Sequence, residues 1–520
     1  MTSTQRWTLV AAIIGSGAVF LDGTVVNVAL KRIGEELPAT LVGVLEGQTY
    51  VVSGYLAMLA ALLILAGALS DHYGRRRVYS IGLASFAVTS ALCGLAPTLE
   101  WLVIFRLLQG AAGALLVPGS LALINGCFEG AERGRAFGIW ASATSALVLL
   151  GPLVGGLMVD TIGWRFAFLI NVPVLAFALW VTRAHVQETR DLHGTRRFDW
   201  LGSLVAAMAV GGLSAGLIRG QEQEWTDPLA WGLLAVGAIA IVAFPVLMAT
   251  RPDPLVPLAL FRQRAFATVN LATFFLYGAL YVTFAYQALI YQGVLGYTAL
   301  AAGAAALPTG ILLTVLSTRV GTIAGRRGAR AFLVAGPLIM ALGLLWYVRL
   351  PVDSAPWLAA IDQPATLIPP LDALIDVLPA TTLLGLGLSL LVAPLTSTVM
   401  GSVPGQFAGL GSAINNAISR IGQPLLGALI FVAISATFYA SLGAAAPDLD
   451  TTAAAVRQQF PPLNPPLPGA AGAHVEASRL ASIDAFRQAM IVGVVLLAIG
   501  SAISFVGLRE PGPRPAPAQG

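Results

Sequence analysis

The chain has 520 residues, of which 57% are apolar and only 10% are charged, whereas about 25% of the residues in an ordinary soluble domain carry a charge. This composition excludes a water-soluble fold, and we expect the lipid bilayer to be the solvent. The net charge of +4 does not indicate a nucleic-acid partner, because the basic residues lie in short clusters between apolar stretches.

Apolar stretches of about 20 residues recur along the chain, and each is long enough to cross a hydrocarbon core of about 30 Å as a helix. They predict an all-α integral membrane protein with fourteen transmembrane helices. The predicted spans are 7–30, 47–69, 78–97, 101–124, 136–159, 165–183, 199–219, 229–249, 265–292, 299–323, 330–350, 375–400, 407–437 and 486–508. Residues 351–373 and 438–485 are interpreted as solvated outer loops, and the second is a candidate for substrate entry or exit.

Arginines concentrate in alternate loops, for example at 75–77 and 326–330. Because cytoplasmic loops collect positive charge, both termini are expected in the cytoplasm and the protein in the cell (inner) membrane. Lys31, the one lysine in the sequence, follows Leu30 rather than the glycine of a phosphate-binding loop, so no ATPase site is expected. Cys93 and Cys127 fall at opposite ends of spans, which favours packing roles over a disulfide or a metal site.

Asp22 lies near the middle of the first span, where a carboxylate costs roughly 3 kcal/mol on insertion scales. We expect it to face the interior of the helix bundle. A carboxyl group that meets a dry environment and a nearby cation in turn can take up and release a proton. The alternative is an interior Asp that only holds helices together by hydrogen bonds.

Arg106, in the fourth span, is the natural counter-charge for Asp22. Arg106, Gln109, Gly110 and Gly113 share one helix face, which is both polar and small. Such a face could hold the ion pair and allow a neighbouring helix to approach closely. The alternative is an arginine that extends to the outer membrane surface.

The fifth span contains GPLVGG, in which Gly151 and Gly155 have the spacing of a close-packed seam and Pro152 removes a helical hydrogen bond. This pattern favours a tight, bendable contact that seals one side of a transport path. Packing alone explains it equally well.

The ninth span carries an aromatic stripe in steps of four and three residues: Asn270, Phe274, Tyr277, Tyr281, Phe284, Ala288 and Tyr291. Aromatic rings that face a cavity bind flat, lipophilic or cationic compounds, and mid-span tyrosine hydroxyls have no partner in lipid. Packing or lipid contact is the alternative.

Span thirteen carries a line of polar residues beside Arg420: Ser412, Asn416, Ser419 and Gln423. This line either lines the transport path or holds the two halves together.

The segment SDHYGRRR joins spans two and three on the cytoplasmic side. Asp71 is placed to meet a helix N-terminus or an arginine of the other half, and breaking that contact would let the halves rock. A solvated loop that only fixes topology is the alternative.

A segment weakly similar to this loop, RVGTIAGRRGAR, follows span ten. The similarity suggests two duplicated six-helix halves with spans seven and eight inserted between them.

These stretches together resemble the major facilitator superfamily, in particular its fourteen-helix drug:proton antiporter branch. The motifs that carry the resemblance are LDGTVVNVAL, GALSDHYGRRRVY, RLLQGAAGA, GPLVGG, WRFAFLINVP, YQGVLGYTALAAGAAALP and GLGSAINNAISRIGQPLLG. The resemblance implies alternating access and export of varied hydrophobic or cationic compounds in exchange for protons. It also implies a major facilitator fold of two six-helix bundles plus two inserted helices.

Residue by residue, the resemblance implies that Asp22 and Arg106 couple protons, and that Asp71 with Arg75 forms a gate. Gly151, Pro152 and Gly155 would form the antiporter hinge. The predicted cavity residues are Asn270, Phe274, Tyr277, Tyr281, Phe284 and Asn416.

The sequence departs from the branch where Lys31 replaces the usual proline and where span two begins EGQTYVVSGY without the common tryptophan. Glu46 is therefore a candidate for an additional carboxylate near the outer mouth.

The predicted organisation is an N-terminal bundle at 1–185, a linker with two inserted helices at 186–255, a C-terminal bundle at 256–510 and a disordered cytoplasmic tail at 511–520. We expect a monomeric transporter of a small molecule and protons in the lipid bilayer, with no nucleic acid, no cofactor, no metal and no enzymatic activity. A narrow-specificity exporter or importer on the same fold, and a membrane sensor or scaffold that does not transport, are the alternatives.

Overall fold

The structure is a computed structural model that describes residues 1–128, 130–189, 199–223, 225–252, 254, 256–403 and 408–508. The predicted tail at 511–520 and part of the predicted linker lie outside the described residues. At some helical positions, Asp71 and Ser412 among them, the side chain lies outside the description.

The regular secondary structure of the described residues is entirely helical and contains no strand. The first nine helices are α1 (Ser3–Glu36), α2 (Val44–Tyr73), α3 (Arg75–Gly94), α4 (Leu99–Cys127), α5 (Gly130–Thr161), α6 (Arg165–Leu169), α7 (Asn171–His185), α8 (Trp200–Glu222) and α9 (Pro228–Thr250). The others are α10 (Arg264–Gly293), α11 (Ala299–Ala305), α12 (Leu307–Arg327), α13 (Arg330–Val348), α14 (Leu378–Gly401), α15 (Ala408–Ala445), α16 (Ala454–Gln459) and α17 (Gly472–Gly507). Short 3₁₀ turns lie at Leu258–Arg262 and Pro364–Leu367, and a π-helical turn at Ala373–Val377 leads into α14.

Eleven segments of the described chain are long and apolar enough to cross a membrane, which confirms a multi-pass membrane protein. Two predicted spans are each built from two helices. Arg165–His185 is interrupted at Ile170, since Pro173 has no N–H for the carbonyl of Leu169, and the span from Ala299 is interrupted at Ala306, just before Pro308.

The interpretation of 438–485 as a solvated loop is wrong. Helix α15 continues to Ala445 and α17 begins at Gly472. Between them the backbone of Phe460–Asn464 is folded into the protein, with Leu463 and Phe460 almost completely buried. Prolines favour extended backbone, and this stretch satisfies its polar groups through specific partners rather than water.

The predicted loop 351–373 is also partly folded into the protein. Trp357 and Ala359 are buried, and their carbonyl groups accept hydrogen bonds from the backbone N–H and the hydroxyl of Thr298, at 3.2 and 2.9 Å. Between α2 and α3 the predicted loop shrinks to a single residue, Gly74, whose φ of 103° suits a residue without a side chain.

The helices form two groups that contact each other through several helix pairs. Helix α1 packs against α4, α5 and α7, and α10 packs against α15 and α17. Across the groups, α1 meets α10, α2 meets α15, and α5 meets α11. Helices α8 and α9 pack on each other, and α8 also contacts α2 and α15, so this pair lies beside the junction.

Candidate functional site

Asp22 and Arg106 form an ion pair in the interior of the first group of helices. Each residue is 1% exposed, and the Arg106 guanidinium donates a hydrogen bond from Nη1 to Asp22 Oδ2. The same guanidinium donates to Gln109 Oε1 at 2.7 Å and, through Nε, to the Val51 carbonyl at 3.0 Å. The alternative of an Arg106 that extends to the membrane surface is wrong, because its charge is needed inside to balance Asp22.

Amide and hydroxyl groups from three other positions surround the Asp22 carboxylate. Gln109 Nε2 donates to Asp22 Oδ1 at 3.1 Å and to Ser90 Oγ at 3.1 Å. Asn171 Nδ2 donates to Ser90 Oγ at 3.0 Å and lies 3.5 Å from Asp22 Oδ1. Sequence reasoning missed Ser90 and Asn171, although a lone asparagine in the apolar sixth span was a usable signal. The carboxylate thus links α1, α3, α4 and α7.

Cys93, which we expected to be a packing residue, lies at the edge of this network. Its thiol is within 3.4 Å of Gln109 Oε1, and the side chain is fully buried. Tyr55 covers the other side, with its ring 4.0 Å from the Arg106 guanidinium and its hydroxyl donating to the Val19 carbonyl at 3.2 Å. The network is therefore enclosed on both sides by α2 and α3.

The aromatic stripe of α10 lies partly against the core. Phe274, Tyr277 and Phe284 are half-buried and pack against the core. Tyr281 is half-buried as well, and its ring centroid lies 5.9 Å from that of Tyr277. Packing therefore accounts for part of the stripe, and a cavity role for its central tyrosines stays a prediction.

Asn270 occupies a helix contact. It is 1% exposed, donates to the Phe266 carbonyl at 2.9 Å and accepts at 3.1 Å from Asn415, which also donates to Thr273. Asn415 makes this contact between α10 and α15. A cavity role for Asn270 finds no support in this geometry.

Helix α15 also carries Arg420 and Gln423, which are 6% and 3% exposed. The Arg420 guanidinium lies 5.5 Å from the ring of Phe20 in α1, so it reaches from the second group of helices toward the first. Asn416, one turn earlier, is partly buried, and its carbonyl accepts from Ser419 at 2.8 Å.

The two groups of helices are joined by side-chain amides at the end of the molecule where α1 stops, the Glu36 end. Gln48 and Asn464 exchange two hydrogen bonds of 2.9 Å, and both residues are buried. Gln48 also donates to the Leu30 carbonyl at 2.8 Å, and Gln292 donates to the Val28 carbonyl at 2.9 Å. These contacts close the junction at this end, and sequence reasoning missed all of them.

The GPLVGG segment of α5 also packs at the junction between the two groups of helices. A Cβ atom on Gly151 or Gly155 would collide with Thr24 or Val25 of α1. A Cβ on Gly303 of α11 would collide with the carbonyl oxygen of Pro152. The small residues therefore allow backbone to approach backbone on two sides of α5.

Asp160, near the end of α5, strengthens this contact. Its two carboxylate oxygens accept hydrogen bonds from the backbone N–H groups of Ala299 at 3.2 Å and Leu300 at 2.6 Å, at the start of α11. A negative side chain at a helix N-terminus is favourable. Asp160 thereby ties the two groups of helices together beside the glycine seam.

At the end of the molecule opposite Glu36, the predicted gate segment around Arg75 contacts residues that the sequence did not indicate. Glu188 accepts hydrogen bonds from the backbone N–H groups of Arg76 at 3.0 Å and Arg77 at 3.1 Å, at the start of α3. The backbone N–H of Arg75 donates to the Thr189 carbonyl at 3.0 Å. The segment after α7 thus caps the start of α3. The side chain of Asp71, which we expected to meet a helix N-terminus or an arginine of the other half, lies outside the description.

Glu46 is fully buried at the first turn of α2 and lies close to α8. Its Oε2 accepts from the Gly43 N–H at 3.0 Å, and its Oε1 lies 3.9 Å from Arg219 of α8. Arg219 also donates to Asp227 at 2.5 Å. The N–H of Leu229 and the Arg219 guanidinium lower the pKa of Asp227, which caps α9. Glu46 therefore lies between α2 and α8, and Arg219 is its charged neighbour.

Known proteins match this chain over most of its length. A family model described as the Major Facilitator Superfamily matches residues 12–427. The chain is 35% identical to the multidrug resistance protein Stp of Mycobacterium tuberculosis, over 86% of this chain and 80% of that protein. It is 31% identical to the tetracenomycin C resistance and export protein of Streptomyces glaucescens, over 80% and 74% of the two chains. It is 32% identical to a puromycin resistance protein of Streptomyces alboniger, over 82% and 80%.

Solved structures match over nearly the whole length. An inward-facing bacterial homologue of the lysosomal transporter Spinster gives a TM-score of 0.62 at 16% identity, with 98% of this chain and 97% of that chain covered. A D-xylose-proton symporter gives 0.61 at 14% identity, with 98% and 99% covered. These likenesses establish a shared fold.

Replacing Gly303 by valine should separate α5 from α11, because the added carbons would occupy the space of the Pro152 carbonyl. We expect a loss of thermal stability, read as a drop of several degrees in the melting midpoint of the purified protein. Gly232→Val in α9 is the control, since a Cβ there meets nothing within 4 Å. Equal midpoints for the two variants would contradict the close contact.

Removing one partner of the amide pair at the Glu36 end should leave the other buried and unsatisfied. We expect Gln48→Ala and Asn464→Ala each to cost about 1 to 3 kcal/mol, and the double variant to cost less than the sum. Thermal midpoints of the four proteins measure this coupling. Gln363→Ala, at an exposed glutamine, is the control, and strict additivity would refute the pairing.

Proposed function

The chain belongs to the major facilitator superfamily, and from this we propose that it is a drug-efflux transporter. It exports small hydrophobic compounds, cationic ones included, in exchange for protons by alternating access. The observation that carries the proposal is the buried ion pair of Asp22 and Arg106 beside the tyrosines that α2 and α10 present to the junction of the two groups of helices. Sustained similarity to resistance and export proteins supports it.

The proposed topology has fourteen membrane crossings, with α2, α3 and α5 added to the eleven apolar segments. Residues 1–185 and 256–510 form the two six-helix bundles, and the segment 186–255 supplies the inserted α8 and α9. Exposed apolar side chains on α9, such as Ile239 and Val242, support its place against lipid. Both termini are cytoplasmic in the cell (inner) membrane, so the Glu36 end faces outward.

Proton coupling is assigned to Asp22. As a carboxylate it holds the Arg106 guanidinium and accepts hydrogen bonds from Gln109 and Asn171. Protonation removes the charge that balances Arg106 and converts one acceptor oxygen to a donor, so the contacts of α1 with α4 and α7 must rearrange. A proton bound from the outside and released inside would thereby be linked to movement of the helices that surround the cavity.

We assign alternating access to the opening and closing of the contacts between the two groups of helices. The closed Glu36 end, with Gly151, Pro152 and Gly155 packed between α1 and α11, fits a state in which the outer side is shut. Opening it would require the amide pairs to part and α5 to leave α11. Asp71 and Arg75 are proposed to take part in the corresponding closure at the cytoplasmic side.

Export without covalent chemistry requires only a small-molecule substrate and protons in a lipid bilayer. No cofactor, nucleic acid or second subunit enters this proposal. The protein is proposed to act as a monomer, because each half already supplies the surface that the other half needs.

Asp22→Asn should abolish coupled export, because an amide cannot bind and release a proton at this position. The measurement is efflux of fluorescent cationic, neutral and anionic hydrophobic compounds from cells that express the protein, with and without a protonophore. Growth on puromycin and tetracenomycin C is scored in parallel. We expect protonophore-sensitive efflux by the parent protein and at least tenfold slower efflux by the variant.

Asp362→Asn, at an exposed loop carboxylate, is the matched control and should export normally. Coupled export that survives in Asp22→Asn would move the proton site elsewhere. No efflux of any compound by the parent protein would reject the exporter itself.

A further inference from the structure

Arg420 is a second buried cation at the junction of the helices, and its surroundings differ from those of Arg106. It lies within α15, is 6% exposed, and reaches across to within 5.5 Å of the Phe20 ring on α1. Tyr55 and Tyr277 both lie close enough to Arg420 for the guanidinium charge to act on their hydroxyl groups. The guanidinium therefore occupies the space that the two groups of helices share.

The charge of Arg420 has no counter-ion among the described side chains. Arg106 has Asp22, Gln109 and a backbone carbonyl, whereas Nε of Arg420 is buried with no hydrogen-bond acceptor. The side chains of α5 that lie outside the description between 137 and 149 include no acidic residue. A buried cation without an anion is unfavourable, which indicates that a bound group completes this site.

A second polar atom near Arg420 also lacks a partner. Gln423 lies one turn further along α15, is 3% exposed, and its Oε1 accepts no hydrogen bond from the described residues. The neighbouring surface is aromatic, with Tyr277 and Tyr281 both partly exposed. The site thus combines an unused cationic donor, an unused acceptor and flat apolar walls.

The charges of the described side chains in this centre sum to a positive value. Asp22 and Arg106 cancel each other, and Arg420 remains. A lipophilic cation between the tyrosines would be repelled by this charge, whereas an anionic oxygen would replace the missing counter-ion.

We propose that Arg420 is the recognition residue for an anionic or strongly electron-rich oxygen on an aromatic substrate, such as a carboxylate or a phenolate. The aromatic body of the substrate stacks on Tyr277 and Tyr281, and Gln423 Oε1 accepts a hydrogen bond from an O–H or N–H group on it. This inference rests on the proposed export function and favours, among its hydrophobic substrates, acidic or acceptor-rich aromatic compounds over cationic ones.

The test uses two dyes that share a planar tricyclic ring system but differ in charge: anionic fluorescein and cationic rhodamine 123. Their binding to the purified full-length protein is measured by fluorescence anisotropy at mildly alkaline pH. We expect the parent protein to bind fluorescein about tenfold more tightly than rhodamine 123. Arg420→Gln should lose about that factor for fluorescein and leave rhodamine 123 binding equal or stronger, while Arg420→Lys should retain most of the preference.

The control is Arg457→Gln, at another buried arginine that packs 4.1 Å from Tyr439 and donates to the Thr451 carbonyl. Both dyes should bind this variant as they bind the parent protein, and thermal midpoints identify any variant that fails to fold. Gln423→Leu is a second, independent test because it removes the proposed hydrogen-bond acceptor. It should weaken fluorescein binding less than Arg420→Gln does.

Stronger binding of rhodamine 123 by the parent protein, or unchanged fluorescein binding in a folded Arg420→Gln variant, would overturn the inference. Binding is measured without transport, so a failure of export in cells would reject the proposed function while the binding result still decides the role of Arg420.

Discussion

The buried ion pair of Asp22 and Arg106 is the interaction on which the rest of the first helix group depends. A full charge inside a membrane protein is tolerated only with a partner, so each residue fixes the position of the other and of its helix. Gln109, Ser90 and Asn171 then complete the hydrogen bonds of the carboxylate and draw α3 and α7 to the same point. One acidic side chain therefore organises four helices, and a change in its charge reaches all of them.

The second helix group presents a different electrostatic surface to the same space. It contributes tyrosines from α10 and the arginine of α15 but no described carboxylate beside them. Among the described side chains, the ion pair on one side of the junction is neutral, and the other side carries the positive charge of Arg420. In the proposed transporter, this asymmetry would separate the group that changes protonation from the group that meets the substrate, which is an arrangement suited to linkage between two sites.

Closure at the Glu36 end depends on backbone contact rather than on large side chains. The glycines of α5 and α11 bring carbonyl groups close to neighbouring backbone, and amide side chains such as Gln48 and Asn464 pair where water would otherwise enter. Hydrogen-bonded amides are strong enough to hold a state and weak enough to exchange for water when the groups part. The buried Phe460–Asn464 segment, which the sequence suggested to be a solvated loop, belongs to this closure.

The sequence by itself determined the membrane environment, the helical class and most of the spans, because these follow from local composition and from the length of apolar stretches. It also singled out Asp22 and Arg106, since ionisable residues within apolar spans are rare and need partners. Partner choice across the chain was decided only by the tertiary structure. Asn464 meets Gln48, Glu188 caps α3, and Arg420 has no carboxylate partner among the described residues. These pairings follow from how distant helices pack, and no local periodicity encodes that packing.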